Sequence, residues 1–119
     1  MRILILILIL GLVAGPVWAI DDKGYAMGGL ASQSCGKIVE LEEKSPEYLR
    51  SSVASHINGY ITAFNFLKRG KADWTDGANP TSLTLFVTNY CRDHPLKLLD
   101  DGVIALMREF DPTFGPGAF

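Results

Sequence analysis

The chain has 119 residues, 48% of them hydrophobic, and a formal net charge of −2. This length supports one domain with a single modest core and leaves no room for two. The acidic balance argues against a nucleic-acid partner, because the basic residues are scattered and only Lys68, Arg69 and Lys71 lie close together.

Residues 1–19 have the three-part pattern of a secretory signal peptide. Arg2 supplies the positive charge, an apolar stretch runs from Ile3 to Val13, and Gly15-Pro16 precedes the small residue Ala19. The pattern predicts cleavage after Ala19, export from the cytoplasm, and no membrane association of the mature chain. A retained membrane anchor is the alternative, although residues 3–20 only just reach the length that a bilayer requires.

Two cysteines, Cys35 and Cys91, remain in the predicted mature chain. An exported protein with an even number of cysteines usually pairs them, so we predict one intramolecular disulfide. The alternative is a pair of buried thiols.

Amphipathic patterns over residues 34–110 predict an all-α fold, a small four-helix bundle with one disulfide. The first helix is expected to begin after a Ser34 cap and to run to Lys44. Ser45-Pro46 is expected to start the long second helix, with Ser45 as its cap, and Gly70 to terminate it.

The third predicted helix follows Pro80, is capped by Thr81 or Ser82, and stops near Asp93. The fourth is expected to open at Pro95 and to run to Phe110. Residues 20–33 are predicted to be an extended lead-in, and residues 111–119, with two Pro and two Gly, a flexible tail.

Apolar residues recur at three- and four-residue steps along the second helix, and a tryptophan in the following loop is expected to pack back on it. Such a repeat is typical of a core, and a ligand groove lined by its aromatic members is the alternative. The members of this set are Leu49, Val53, Ile57, Tyr60, Ile61, Phe64 and Trp74.

The sequence predicts no catalytic residue, no metal site and no cofactor. His56 and His94 lack the three or four suitably spaced ligands of a zinc site, and no strand-turn-helix elbow accompanies His56 and its serine neighbours. The chain is therefore predicted not to be an enzyme.

The acidic residues Glu40, Glu42, Glu43 and Glu47 lie on predicted helix and are interpreted as a solvated face, since calcium loops need a turn-forming glycine among their ligands. Asp100 and Asp101 are interpreted as ordinary acidic residues near the start of the fourth helix.

Three segments resemble a known family. They are Cys35-Gly36 at a helix start, Asn58-Gly59-Tyr60 in the long helix, and the run from Asn89 through Tyr90-Cys91 to His94-Pro95. Together they resemble the HdeA/HdeB family of periplasmic acid-stress chaperones, over roughly residues 34–110. This chain departs from the family pattern in its longer, tryptophan-containing loop and in the histidine beside the closing proline.

The resemblance implies a periplasmic protein that is a homodimer at neutral pH and a stress-response chaperone in strong acid. It implies that the protein partly unfolds there and binds unfolded client proteins through newly exposed apolar surface. The client- or partner-binding surface would be the apolar face of the helices, and its candidate residues are Leu49, Val53, Ile57, Tyr60, Ile61, Phe64 and Trp74.

Residues 57–61 and 90–95 are also similar to the periplasmic immunity proteins that inhibit type VI secretion amidases, the Tai family. That resemblance implies a rigid inhibitor with one protein partner, bound through a protruding loop at residues 71–80. An exported domain with some other role remains a third interpretation.

Overall fold

The computed structural model describes residues 19–20, 26–68 and 70–115. Within these residues the predicted all-α fold is confirmed, with four helices: α1 (Cys35–Lys44), α2 (Pro46–Leu67), α3 (Pro80–Asp93) and α4 (Leu99–Phe110). None of the described helices is long and apolar enough to cross a membrane. The predicted signal peptide lies outside the described residues except for Ala19.

The lead-in differs from the extended segment that its sequence predicts. Strand β1 (Ala19–Ile20) pairs in antiparallel fashion with β2 (Ala26–Met27), and a 3₁₀ helix follows at Gly29–Ser32. Ala31 of the 3₁₀ helix is buried, so this part of the lead-in belongs to the fold. Cleavage after Ala19 would remove one of the two residues of β1.

The first three helices start close to the predicted residues, but only one of the three predicted caps is correct. Ser34 caps α1 through its hydroxyl, as expected. Ser45 makes no side-chain cap for α2; it also ends α1, where its N–H bonds to the Leu41 carbonyl at 2.8 Å. Asn79, rather than Thr81 or Ser82, caps α3; its Oδ1 accepts from the Thr81 N–H at 2.8 Å, because Pro80 already occupies the first helical position.

The fourth helix begins four residues later than predicted, at Leu99. Residues 94–98 instead form a turn, and two of their carbonyls bond to the start of α1. The Cys35 N–H donates to the Lys97 carbonyl at 2.7 Å, and the Gly36 N–H donates to the Pro95 carbonyl at 2.9 Å. The free N–H groups of one helix start are thus satisfied by the turn before another helix.

The predicted disulfide joins Cys35 of α1 to Cys91 of α3, and both residues are fully buried. It lies in a core to which all four helices contribute, with Ile38, Val53 and Val103 also completely buried. The four helices and the crosslink therefore form one hydrophobic unit.

The start of the predicted flexible tail is packed. Phe114 is 6% exposed and Asp111 8% exposed, so the chain as far as residue 115 continues to cover the core after α4 ends. One aromatic ring that fits against α2 outweighs the local Pro and Gly composition here. Residues 116–119 lie outside the described part of the chain.

Candidate functional site

The predicted partner-binding residues lie inside the folded protein. Four of them, Leu49, Val53, Ile57 and Phe64, are at most 1% exposed. Tyr60, Ile61 and Trp74 are half-buried and pack against the core. In the native fold this apolar face is therefore closed, and a partner could reach it only after part of the structure opens.

Phe64, near the end of α2, is covered by two aromatic residues from different segments. Its ring centroid lies 5.5 Å from that of Trp74 and 5.2 Å from that of Phe114, both in edge-to-face geometry. The ammonium of Lys68 lies 5.9 Å from the Phe64 ring and 5.8 Å from the Trp74 ring. We call Phe64, Trp74 and Phe114 the aromatic cluster.

The Trp74 segment is held by the carboxylate of Asp73. Its oxygens accept hydrogen bonds from the Thr75 N–H at 2.9 Å, the Thr75 hydroxyl at 2.7 Å and the Gly77 N–H at 3.0 Å. Asn65 of α2 anchors the turn, since its Oδ1 accepts from the Trp74 N–H at 3.0 Å. The prediction that Trp74 packs back on the second helix is confirmed.

The indole N–H of Trp74 is buried and has no hydrogen-bond partner in the described part of the chain. Leaving such a donor unsatisfied costs about 1–3 kcal/mol. This cost offsets part of the stabilisation that the Trp74 ring gains by packing on Phe64.

The Phe114 segment is held in a similar way by the carboxylate of Asp111. It accepts from the Thr113 N–H at 3.0 Å, from the Thr113 hydroxyl at 2.6 Å and from the Lys68 ammonium at 3.1 Å. Arg108 adds a bond from its Nε to the Phe114 carbonyl at 2.8 Å. Both covers of Phe64 are thus turns closed by an aspartate that bonds to the threonine two residues later.

These hydrogen bonds change the acidity of both aspartates. The Thr75 hydroxyl and the N–H groups of Thr75 and Gly77 lower the pKa of Asp73, and the hydroxyl and N–H of Thr113, with Lys68, lower the pKa of Asp111. A lowered native pKa stabilises the fold above the ordinary value of 3.8, and this stabilisation is lost as the pH falls through the native pKa. Strong acid therefore weakens both turns.

A second titratable cluster joins α2 to α4. The Tyr60 hydroxyl donates to the carboxylate of Asp100, which is 1% exposed. His56 lies one turn earlier on α2, with its Nε2 buried, without a hydrogen-bond partner among the described residues, and 4.0 Å from Asp100 Oδ1. Burial lowers the pKa of His56, opposed by the nearby charge of Asp100.

The interpretation of Asp100 as an ordinary first-turn residue missed this cluster. Asp100 shares the buried side of α4 with Val103, Ile104 and Met107. That spacing was visible in the sequence, but only the fold shows that Tyr60 lies opposite. With a depressed His56 pKa, the unfolded chain binds a proton before the folded one, so acidification below the ordinary histidine value of 6.5 also destabilises the fold.

The acidic run of α1 divides into two environments. Glu40 pairs with Lys37 on the solvated surface, as predicted. Glu42 instead has a side chain only 12% exposed and accepts from the Arg92 guanidinium at 2.6 Å, which ties α1 to α3. Among the described residues, no group of three or more His, Cys, Asp or Glu could hold a metal ion.

Comparison of the chain with protein-family models, curated proteins and solved structures found no match.

Proposed function

We propose that this chain is an exported, periplasmic acid-stress chaperone that binds unfolding proteins through apolar surface opened by low pH. The observation that supports this most is the aromatic cluster, because both segments covering Phe64 are closed by carboxylates that need to be ionised. At neutral pH the covers hold the apolar face of α2 inside the protein. In strong acid they lose the charge that holds them.

The charge of the whole chain favours the same opening. The predicted mature chain lacks Arg2 and so has ten of the eleven Lys and Arg residues. With both histidines charged and every carboxylate protonated, its net charge becomes about +12. Repulsion among these charges loosens the helices, while the Cys35–Cys91 disulfide keeps α1 attached to α3.

Trp74 provides a direct measurement, because Trp18 is removed with the signal peptide and Trp74 is then the sole tryptophan. The oxidised mature protein should be titrated from pH 7 to pH 2 while tryptophan fluorescence and near-UV circular dichroism are recorded. The same samples should be tested for suppression of aggregation of an acid-sensitive client. We expect the tertiary signal to be lost and the client to be protected over the same pH range.

A protein that keeps its tertiary signal at pH 2, or loses it without protecting the client, would contradict the chaperone proposal. The matched control is the protein kept at pH 7 with the same client unfolded by heat, where the closed apolar face should give no protection.

A second candidate function, inhibition of a type VI secretion amidase, is favoured by the loop at residues 71–80. Asp73 fixes its base, and the tip places Asp76 and Gly77 at φ of +52° and +75°, exposed to solvent. A tip held in that conformation suits insertion into an active site. If the folded protein inhibits such an amidase at neutral pH and Asp76→Ala abolishes the inhibition, the immunity function replaces the chaperone function.

A further inference from the structure

A groove of about 460 Å³ lies between α2 and α3, on a different side of α2 from the aromatic cluster. It is present because small side chains face each other across the two helices. Ser51 and Ala54 of α2 lie opposite Thr84 and Thr88 of α3. The volume is in the range of pockets that hold small molecules.

The walls of the groove are mainly apolar. The hydroxyls of Thr84 and Thr88 bond to carbonyls of their own helix, at 2.9 Å and 3.2 Å, so they add little polarity. Leu85 also lines the groove and is 52% exposed. An aliphatic chain lying against these residues would remove this apolar surface from water.

One end of the groove carries charge. Glu42 lines that end, and its carboxylate is already bonded to Arg92 at 2.6 Å, one turn beyond Thr88. Arg50 also lines the groove; its side chain is 66% exposed, its Nε forms a long ion pair with Glu42 Oε1 at 4.0 Å, and its guanidinium makes no hydrogen bond within the described part of the chain. Two guanidinium groups therefore face one carboxylate, and Arg50 retains its donors for an anion.

The opposite end is formed by Pro80 and Thr81 at the start of α3. Asn79 already accepts the N–H groups of Thr81 and Ser82, so this helix start offers no anion site of its own. Pro80 and Thr88 are eight residues apart, or about 12 Å along the helix. The groove thus runs from a cationic end along apolar walls, over a distance comparable to a medium-length alkyl chain.

We infer that this groove binds a straight-chain aliphatic carboxylate, with the carboxylate on Arg50 and the chain along Ala54 and Leu85. The inference is independent of the proposed chaperone function, because it concerns the folded protein at neutral pH and not the acid-opened state.

The test is titration of the mature protein at pH 7 with octanoate and with octanol, followed calorimetrically and by amide chemical shifts. We expect saturable 1:1 binding of octanoate, and binding of octanol about tenfold weaker because a charged hydrogen bond is lost. Arg50→Gln should weaken the binding of octanoate about tenfold and leave the affinity for octanol unchanged. Lys97→Gln, which removes an exposed positive charge elsewhere, should change neither.

Filling the groove gives a second measurement. Ala54→Phe should abolish binding of both ligands, whereas Ala63→Phe, at an exposed position nine residues further along α2, should not. The inference is overturned if octanoate does not bind saturably, if Lys97→Gln weakens it as much as Arg50→Gln, or if Ala63→Phe acts like Ala54→Phe. Should Ala54→Phe fail to fold, the comparison of octanoate with octanol in Arg50→Gln decides alone.

Discussion

Two glycines within helices have opposite surroundings. A methyl group added to Gly102 of α4 would lie 2.9 Å from Cδ1 of Tyr90 and 3.4 Å from Val87. The Tyr90 ring is itself stacked on His94, with centroids 4.3 Å apart, which hinders its movement. A methyl group added to Gly59 of α2 would have no atom within 4 Å.

Gly102→Ala should therefore destabilise the protein and Gly59→Ala should stabilise it. Overpacking at Gly102 costs about 1–3 kcal/mol and exceeds the gain of up to about 1 kcal/mol in helix propensity, whereas Gly59→Ala has only the gain. Urea unfolding at pH 7 measures both. A stability increase for Gly102→Ala would show that α3 and α4 can separate at no cost.

Asp73 and Asp111 carry the pH dependence of the aromatic cluster. Asn at both positions keeps an acceptor oxygen but removes the titratable charge. The double variant Asp73→Asn, Asp111→Asn should be less stable than the wild type at pH 7, because the charge strengthens the bonds from Thr75 and Thr113. As the pH falls below 3.8 and through the lowered native pKa of the two aspartates, the wild type loses this advantage, and the stabilities of the two proteins should converge.

Urea midpoints of both proteins at several pH values, read from Trp74 fluorescence, measure this convergence. Glu43→Gln, on the exposed part of α1, is the matched control and should leave the pH profile unchanged. A difference between the proteins that stays constant from pH 7 to pH 2 would rule out these carboxylates as the acid-sensitive groups.

At the scale of elements, α2 is stabilised by segments that are not helices. Its last turns are covered by the Trp74 loop on one side and by the turn after α4 on the other. The start of α1 likewise depends on the 94–98 turn for its hydrogen-bond partners. These irregular segments cover apolar side chains at the ends of the helices, which the short helices alone would leave exposed.

Phe114→Ala should accordingly cost about 3 kcal/mol, as expected for loss of a buried aromatic ring. Phe66→Ala is the matched control, because Phe66 is 86% exposed and its removal should change stability by less than about 0.5 kcal/mol. Urea denaturation of both variants gives the comparison. Equal effects would mean that Phe114 does not contribute to the core.

At the scale of the whole molecule, the disulfide limits how far the chain can open. It links residues 56 apart in sequence, so it constrains most of the described fold, including all of α2. Reduction should lower the free energy of unfolding by about 4 kcal/mol in the chain-entropy model. Under the proposed function, the reduced protein should also expand fully in acid, and scattering at pH 2 should give a larger radius than for the oxidised protein.

Urea unfolding with and without reductant measures the loss of stability, and the double variant Cys35→Ala, Cys91→Ala serves as the control. Its stability should be low in both conditions, since it has no crosslink for the reductant to remove. An unchanged wild-type midpoint after complete reduction would show that native packing, and not the crosslink, determines stability.

The sequence by itself determined the helices and the pairing of the cysteines. The two cysteines of the predicted mature chain allow only one intramolecular pairing, so their count was enough to predict the disulfide. Apolar spacing at three and four residues, and Pro46 and Pro80 at first helical positions, are local signals that specified the helices without knowledge of distant residues. Helix boundaries that depend on local chemistry were therefore predicted within a few residues.

Only the tertiary structure decided where α4 begins, that Phe114 packs, and that Asp100 faces Tyr60. Each depends on a partner far away in sequence: the carbonyls of Pro95 and Lys97 accept from the start of α1, Phe114 fits against Phe64, and Asp100 meets a hydroxyl 40 residues earlier. Local composition at residues 111–115 favours disorder, but contact energy with a distant ring outweighs it. The candidate site is assembled from such long-range contacts. The sequence lists its residues, but only the fold shows which of them lie next to each other.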